Sequence, residues 1–219
     1  MKENEVFAVY KPKGISSNAL LEEIRRITGK KKVGHAGTLD PLASGVLVVG
    51  IGREATKKLG EEVKKEKEYI AKIRLGVESA TDDEEGIKTE HAIQKIPQKN
   101  DIENAVKKFI DKITQVPPAY SAIKIKGKEA YKLARKGIEV KLEPRTVEIK
   151  EIEILDYEWP YLSIRVVTGS GVYIRSLARD IGDELGVGGY IAELERTRVG
   201  DFTKKNSLTI DDFIGKNYG

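Results

Sequence analysis

The fold of this 219-residue chain can be approached from residues 33–47, which read VGHAGTLDPLASGVL. Three glycines bracket one acidic residue, Asp40, and glycine permits close approach of another backbone or of a ligand. Residues 46–51 are rich in branched apolar side chains, which predicts a buried strand. No Gly-Lys-Ser/Thr triplet follows the loop, and the loop precedes the strand. The segment is therefore neither a phosphate-gripping loop nor a dinucleotide fingerprint.

The segments on both sides of this loop predict a mixture of helices and strands. Residues 16–28 carry apolar side chains at helical spacing, with Ser16 or Ser17 as the N-cap and Gly29 just past the C-terminus. Residues 69–75 alternate between apolar and polar side chains, which predicts a half-buried strand.

The second half of the chain continues the mixture. A helix is predicted to begin at Asp101 and to include Ile113 in its apolar face. Further helices are predicted at residues 129–136, after Gly171, and near residues 190–196. The prediction is one compact domain over residues 1–215, of the α/β class and the α+β type.

Composition excludes several classes of chemistry. The chain is 39% hydrophobic and 34% charged, enough apolar content for a core, and its apolar runs are far shorter than the roughly 20 residues that span a membrane. It has no cysteine and two histidines, so it offers no disulfide, no thiol nucleophile and no multi-histidine zinc site. The N-terminus lacks the apolar core of a signal peptide. We expect a soluble, cytoplasmic protein that uses Asp, Glu, Tyr, Lys, Arg or a single His.

Positive charge is concentrated in two blocks, residues 1–75 and 120–150, while the remaining segments are acidic. Two basic blocks can form one face for a polyanion such as RNA, or they can be ordinary solvated surface. Charge alone leaves both readings open.

Residues 33–47 closely resemble the catalytic motif of the TruB family of RNA pseudouridine synthases. Five further blocks resemble motifs of the same family and occur in order along nearly the whole chain: residues 11–17 (its Lys-Pro motif), 67–76 (its tyrosine strand), 117–137 (its RNA-gripping insertion), 171–177 (its arginine motif) and 194–200 (its late leucine motif).

The resemblance implies a pseudouridine synthase fold, with a mixed, mostly antiparallel central sheet flanked by helices and a thumb-like insertion at about residues 118–146. It implies isomerisation of the T-loop uridine of tRNA, position 55, to pseudouridine by base flipping. It also implies no cofactor and no metal, a tRNA T-stem-loop as the partner, and no membrane. No obligatory protein partner is expected, and the chain is expected to be a monomer.

The resemblance also assigns roles to individual residues. Asp40 matches the essential aspartate, which attacks the nucleotide or abstracts a sugar proton. Tyr69 matches the tyrosine that stacks on the flipped base and assists catalysis, and Arg175 matches the cation that keeps the aspartate ionised. The residues assigned to substrate binding are His35, Tyr69, Tyr173, Leu194, Lys11 and Lys124. Lys126, Lys128, Lys132, Arg135 and Lys136 are expected to contribute positive charge to the thumb.

Each of these residues, considered without the others, also has a purely structural interpretation. Asp40-Pro41 alone signals a turn, Tyr69 alone is a strand tyrosine of the core, and Arg175 alone is a surface cation. Arg175 would, however, oppose the dipole of its helix, which favours a specific anionic partner.

Two departures from the family pattern stand out. Ala80 occupies the position of a usual aspartate, whose contact is either lost or supplied by Asp82. The chain also ends shortly after residue 213, so we expect no C-terminal PUA-type RNA-binding domain.

Three other functions were weighed against a stand-alone tRNA enzyme. The chain could be the catalytic subunit of a guide-RNA-dependent complex, although the bacterial-type insertion argues for the stand-alone enzyme. It could be a non-catalytic RNA-binding or chaperone module, against which Asp40, Tyr69 and Arg175 argue together. A glycosidase would need a second carboxylate at roughly 5–10 Å, and the sequence singles out none.

Overall fold

The computed structural model describes residues 5–125 and 127–212. The strands are β1 (Val6–Lys11), β2 (Val33–Ala36), β3 (Ser44–Ile51), β4 (Lys67–Leu75), β5 (Val77–Ser79), β6 (Lys88–Glu90), β7 (Asp111–Gln115), β8 (Lys124–Ile125), β9 (Lys128–Glu129), β10 (Arg145–Glu158), β11 (Tyr161–Thr168), β12 (Gly189–Val199) and β13 (Phe202–Thr203). The helices are α1 (Ser17–Thr28), α2 (Arg53–Lys64), α3 (Lys99–Lys107), α4 (Ala130–Ala134), α5 (Ile174–Glu184) and a 3-10 turn, Lys204–Asn206.

The chain forms two compact units. Unit 1 comprises Met1–Ile70, Val167–Ser170 and Leu194–Gly219, and unit 2 comprises Ala71–Val166 and Gly171–Glu193. Strands β4, β11 and β12 each begin in one unit and end in the other.

The sheet of unit 1 is built around β3. Strands β1 and β2 pair with β3 in antiparallel fashion, and β12 pairs with it in parallel. Successive residues of β3 point to opposite faces, so Leu47 and Val49 pack on one side and Val46 and Val48 on the other. Helix α1 covers the first side, and Leu59 of α2 belongs to the core of the second.

The prediction for helix α1 is confirmed, including both of its ends. The side chain of Ser16 accepts a hydrogen bond from the amide of Ala19 and caps the N-terminus, and Gly29 takes the left-handed conformation just beyond the C-terminus. Leu20, Leu21, Ile24 and Ile27 form its buried face.

Unit 2 contains β7, β10 and the larger parts of β4 and β11, in the strand order β4-β11-β10-β7, together with the two-stranded pairs β5-β6 and β8-β9. Its core is formed by buried apolar residues of β4, β10 and β11 and of helices α3 and α5. The expected thumb, residues 118–146, lies in unit 2 and includes β8, β9 and α4. Mixed helices and a mostly antiparallel sheet confirm the predicted α+β type. None of the helices in the described part of the chain has the length and apolarity needed to span a membrane.

One of the predicted helices is wrong, and another is only partly correct. Residues 190–196 lie in strand β12, although Ala192, Glu193 and Leu194 are good helix formers; strand pairing overrides their weak intrinsic preference. The helix expected from Asp101 through Ile113 is α3, which begins at Lys99 and ends at Lys107. Ile113 lies in β7, paired with Val147 of β10.

Candidate active site

The loop that carries Asp40 is fixed on its N-terminal side by Ser17. This buried hydroxyl donates to the carbonyl of Leu39 at 2.8 Å and accepts from the amide of Leu39 at 2.9 Å. The residue before Asp40 therefore has both backbone groups bound to one side chain at the start of α1. Ser16 provides the helix cap, which leaves Ser17 to hold the loop.

The residues that follow Asp40 are held as well. The amide of Gly14 donates to the carbonyl of Pro41 at 2.7 Å, and the amide of Ala43 donates to the carbonyl of Asp40 at 3.1 Å. Asp40 itself is half-buried. Its backbone is thus fixed by contacts on both sides, which is the condition for orienting a carboxylate toward a reacting atom.

Gly45 lies between two basic residues in the sheet of unit 1. It is opposite Lys11 of β1 and opposite Arg196 of β12. A Cβ atom on Gly45 would lie 2.2 Å from the carbonyl oxygen of Arg196, so no other residue fits there without displacing the strand. The glycine following the aspartate loop therefore permits close approach of β12.

Four basic residues, Lys11, His35, Lys67 and Arg196, form what we call the basic cluster of unit 1. Burial lowers the pKa of Lys11 to about 8; the attraction of Asp40 opposes this effect and the repulsion of Arg196 adds to it. Burial together with Arg196 also lowers the pKa of Lys67 to about 8 and shifts the pKa of His35 downward. Within the cluster, the attraction between Lys11 and Asp40 favours an ionised carboxylate.

The low pKa of Lys67 predicts a pH dependence of stability. Lys67 is 6% exposed, and its ammonium donates to the carbonyls of Val63 and Lys65 at 2.7 and 2.8 Å. The folded state releases this proton near pH 8, and the unfolded chain releases it near the ordinary value of 10.5. Stability should therefore rise between these pH values and stay constant below pH 8 as far as Lys67 is concerned.

The measurement is urea denaturation of the wild type and of Lys67→Met between pH 7 and pH 10.5. The wild type should gain unfolding free energy relative to Lys67→Met as the pH rises through this window. The same series with Lys64→Met, an exposed neighbour at the end of α2, is the control. A constant difference between wild type and Lys67→Met would show that burial does not perturb this lysine.

Three other predicted site residues belong to unit 1. Tyr69 is buried in β4, and Leu194 is half-buried in β12. His35 is half-buried in β2, and its Nδ1 atom is buried without a hydrogen-bond partner among the described residues. Burial, together with the charge of Arg196, lowers the pKa of His35 and so favours its neutral form.

Arg175, in α5 of unit 2, is 5% exposed and faces the carboxylate of Asp83, which is 3% exposed. One guanidinium nitrogen, Nη1, lies 3.1 Å from Asp83 Oδ2 and 3.1 Å from the carbonyl of Thr81; Nη2 donates to the carbonyl of Tyr120 at 2.8 Å. Because Arg175 is buried and makes these contacts, it is not a surface cation. Its pairing with Asp40 stays a prediction.

Two further predicted residues also lie in unit 2. The amide and carbonyl of Tyr173 bind the side chain of buried Gln115 at 2.8 and 3.2 Å, and its ring lies under the guanidinium of Arg145. Lys124 is exposed in β8. Lys126, expected to contribute positive charge to the thumb, lies outside the described residues.

In the acidic segment after β5, two neighbouring carboxylates pair with two different arginines. Ala80 is exposed, and Asp82, the expected substitute for the usual aspartate, binds Arg179 at 2.8 Å. Burial raises the pKa of Asp82 to about 6, against the opposing effect of Arg179. It is the neighbouring Asp83 that faces Arg175.

Sequence reasoning missed four residues of these sites: Ser17 as the anchor of the loop, Asp83, Lys67 and Arg196. Nothing in the run of acidic residues 82–85 distinguishes Asp83 from its neighbours. Ser17 and Arg196 both lie inside motifs that resemble the family, although the resemblance assigns neither of them a catalytic role. Their position inside these motifs is the sequence signal that could have identified them.

Two family models match the chain. The model described as "TruB family pseudouridylate synthase (N terminal domain)" matches residues 25–174. The model described as "tRNA pseudouridylate synthase B C-terminal domain" matches residues 175–218.

Curated relatives are similar over nearly the whole chain. A protein of Clostridium tetani named tRNA pseudouridine synthase B is 45% identical over 98% of this chain and 74% of its own length. A protein of Desulfotalea psychrophila with the same name is 45% identical over 97% of this chain and 88% of its own length.

A solved structure is also similar to this chain, at lower sequence identity. A chain from "Crystal Structure of a Cbf5-Nop10-Gar1 Complex" is 32% identical, with a TM-score of 0.75 over 97% of this chain. The present chain spans about half the length of that chain, 54%. The matches of the family models and the identity to the curated relatives lead to one conclusion: the chain belongs to the TruB family of pseudouridylate synthases.

Proposed function

We propose that this protein is a tRNA pseudouridine synthase that converts the T-loop uridine of tRNA to pseudouridine. The observation that carries the proposal is the loop of Asp40, whose backbone is fixed at Leu39 by Ser17 and at Pro41 by Gly14. A carboxylate held in this way, in a chain of this family, suits chemistry at a sugar carbon. The names of the relatives in Clostridium tetani and Desulfotalea psychrophila support tRNA as the substrate.

The reaction is an isomerisation that needs no redox step. The bond between N1 of the uracil and C1′ of the ribose breaks, the base rotates, and C5 forms a new bond to C1′. The proton on C5 is lost and N1 gains one, so atoms and charge balance. The protein must therefore hold the free base, supply a carboxylate and move a proton.

We assign the carboxylate to Asp40. It acts either by attacking the nucleotide or by abstracting a proton from the sugar, and both routes require its ionised form. The attraction between Lys11 and Asp40 favours that form. We further propose that Arg175 supplies positive charge to the reaction.

A uridine in a folded loop must leave its stack before it can react. We propose that Tyr69 stacks on the flipped base, an interaction worth roughly 1–3 kcal/mol per base. Tyr173 and Leu194 are proposed to line the base pocket and Lys11 to shape its floor. His35 is proposed to help hold the RNA loop open.

The thumb is proposed to bind phosphates of the T-stem. Lys124→Ala should weaken binding of a T-stem-loop and reduce the slope of log K against log salt concentration by about one unit, because one phosphate contact is lost. The measurement is fluorescence anisotropy with a labelled T-stem-loop at several salt concentrations. Lys112→Ala, an exposed lysine of β7 outside the thumb, is the control and should keep the wild-type slope. An unchanged slope for Lys124→Ala would remove Lys124 from the interface.

The function is tested by incubating the purified protein with an unmodified T-stem-loop and mapping pseudouridine. Product at the T-loop uridine from the protein alone is the expected result. If product forms only after addition of a guide RNA and partner proteins, the chain belongs to a guide-dependent complex. Binding without product under every condition would support an RNA-binding module and contradict the proposal.

We also propose that the enzyme works as a monomer in the cytoplasm, without an obligatory protein partner. The proposal rests on composition and on the family resemblance. Light scattering of the purified protein at assay concentration should give a mass close to 24.3 kDa.

A further inference from the structure

Among the described residues, Arg196 has the largest side chain that is fully buried, with 1% of its surface exposed. A guanidinium is costly to remove from water unless its N–H groups are bound. Here Nε donates to the carbonyl of Val46 at 2.8 Å and Nη2 donates to the carbonyl of Gly37 at 2.8 Å. One planar side chain thus satisfies two backbone carbonyls with its fixed fork of donors.

These two carbonyls belong to opposite ends of the loop that carries Asp40. Gly37 lies three residues before the aspartate and Val46 lies six residues after it. The fork of Arg196 therefore closes residues 37–46 into a loop, in addition to the contacts of Ser17 and Gly14. The backbone of Arg196 contributes too, because β12 meets β3 at Gly45 in parallel register.

The charge of Arg196 repels its basic neighbours, which indicates that the closure of the loop has a functional role. Its charge acts against Lys11, His35 and Lys67, and it contributes to the downward shift of all three pKa values. If filling space were the only requirement, an apolar side chain would avoid this repulsion. A guanidinium is suited to hold two carbonyls at once, because its donors form a fixed planar fork.

We propose that Arg196 is a positioning residue for the reaction, which acts on Asp40 by closing the loop 37–46. The inference rests on the proposed function, since it assigns the geometry of the catalytic carboxylate to a residue outside the catalytic set. A lysine at this position keeps the charge and has a single donor atom, which cannot reproduce the fork. Asp40 would then be held less accurately.

The expected result for Arg196→Lys is a fall in kcat of about 10²-fold, the scale of a displacement of about 1 Å in an active site. Binding of the T-stem-loop should stay within about threefold of wild type, because phosphate contacts outside this loop supply most of the affinity. Arg198→Lys is the matched control. Arg198 lies two residues further along β12, binds Glu66 at 2.6 Å, and is only partly buried; its variant should keep the wild-type kcat.

Two further measurements separate positioning from a purely structural role. Hydrogen exchange of the folded Arg196→Lys variant should be faster in peptides covering residues 37–46 and unchanged in those covering α5. In Arg196→Ala, addition of millimolar guanidinium should restore part of kcat, while the same addition should leave the wild type and Asp40→Asn unchanged.

The outcomes are distinct. A folded Arg196→Lys variant with wild-type kcat overturns the inference, and so does a loss that appears in binding alone. If both Arg196 variants are unfolded at the assay temperature, Arg196 serves global stability and the inference is also wrong. Absence of product from the wild type would instead refute the proposed function, and hydrogen exchange would still report whether Arg196 closes the loop.

Discussion

Asp40→Asn should abolish turnover on a T-stem-loop, with a fall in kcat of roughly 10³-fold or more, because the amide can neither attack the nucleotide nor accept a sugar proton. Binding should remain within about threefold of wild type, since affinity comes mainly from phosphate contacts. The fixed backbone of the loop makes this variant informative: Leu39 and Pro41 keep their bonds to Ser17 and Gly14 when only the side chain changes.

The assay combines single-turnover formation of pseudouridine with anisotropy measurements of binding. Asp201→Asn, at an exposed carboxylate in the same unit, is the matched control and should behave as wild type. Full activity of Asp40→Asn would show that another group performs the chemistry. A loss of RNA binding parallel to the loss of activity would make Asp40 a binding residue instead.

Asp83→Asn should lower the free energy of unfolding by on the order of 3 kcal/mol, because it removes the carboxylate that faces the buried Arg175 guanidinium at 3.1 Å. The two side chains are 6% and 5% exposed, so solvent does little to replace the lost charge. The substitution keeps the shape of the side chain, removes its charge and turns one acceptor oxygen into an NH2 donor; Asp83 Oδ1 also accepts from the amide of Glu85 at 3.0 Å. We also expect lower kcat, since the orientation of Arg175 depends on this partner.

Urea denaturation at pH 7 measures the first effect. The control is Glu153→Gln, which removes one carboxylate from an exposed pair with Arg165 and should cost less than about 1 kcal/mol. A loss for Asp83→Asn no larger than that of the control would mean that the backbone carbonyls of Thr81 and Tyr120 are sufficient to hold Arg175.

Periodicity predicted α1, β3 and β4 because local signals agree with tertiary packing there: Ser16 and Gly29 delimit the helix, and alternation of apolar residues follows the strands. It failed at residues 190–196, where the helix propensity of single residues is weak compared with strand pairing. It also failed at Ile113, whose apolar side chain fits the face of a helix or of a strand equally well.

The residues proposed for the candidate site, among them Asp40, Tyr69 and Arg175, were singled out because they lie within family motifs, and their roles stay predictions. Residues that act through partners distant in sequence were not predictable. Ser17 binds Leu39 across 22 positions, Asp83 faces Arg175 across 92, and Arg196 reaches Gly37 across 159. Such pairings depend on the path of the chain, which composition and spacing do not encode.

The division into two units has a practical consequence for genetic dissection. The chain passes from one unit to the other between residues 70 and 71, 166 and 167, 170 and 171, and 193 and 194, and three of these passages lie inside strands β4, β11 and β12. Neither unit is one continuous segment. The shortest fragment that contains all of unit 2, residues 71–193, cuts β4 and β12, and only the full chain contains all of unit 1. A cut at the boundary of the two matched family models, between residues 174 and 175, would also sever α5 after its first residue. Roles in this enzyme are therefore best mapped by point substitutions in the full chain, because deletion fragments would lose strands that both units require.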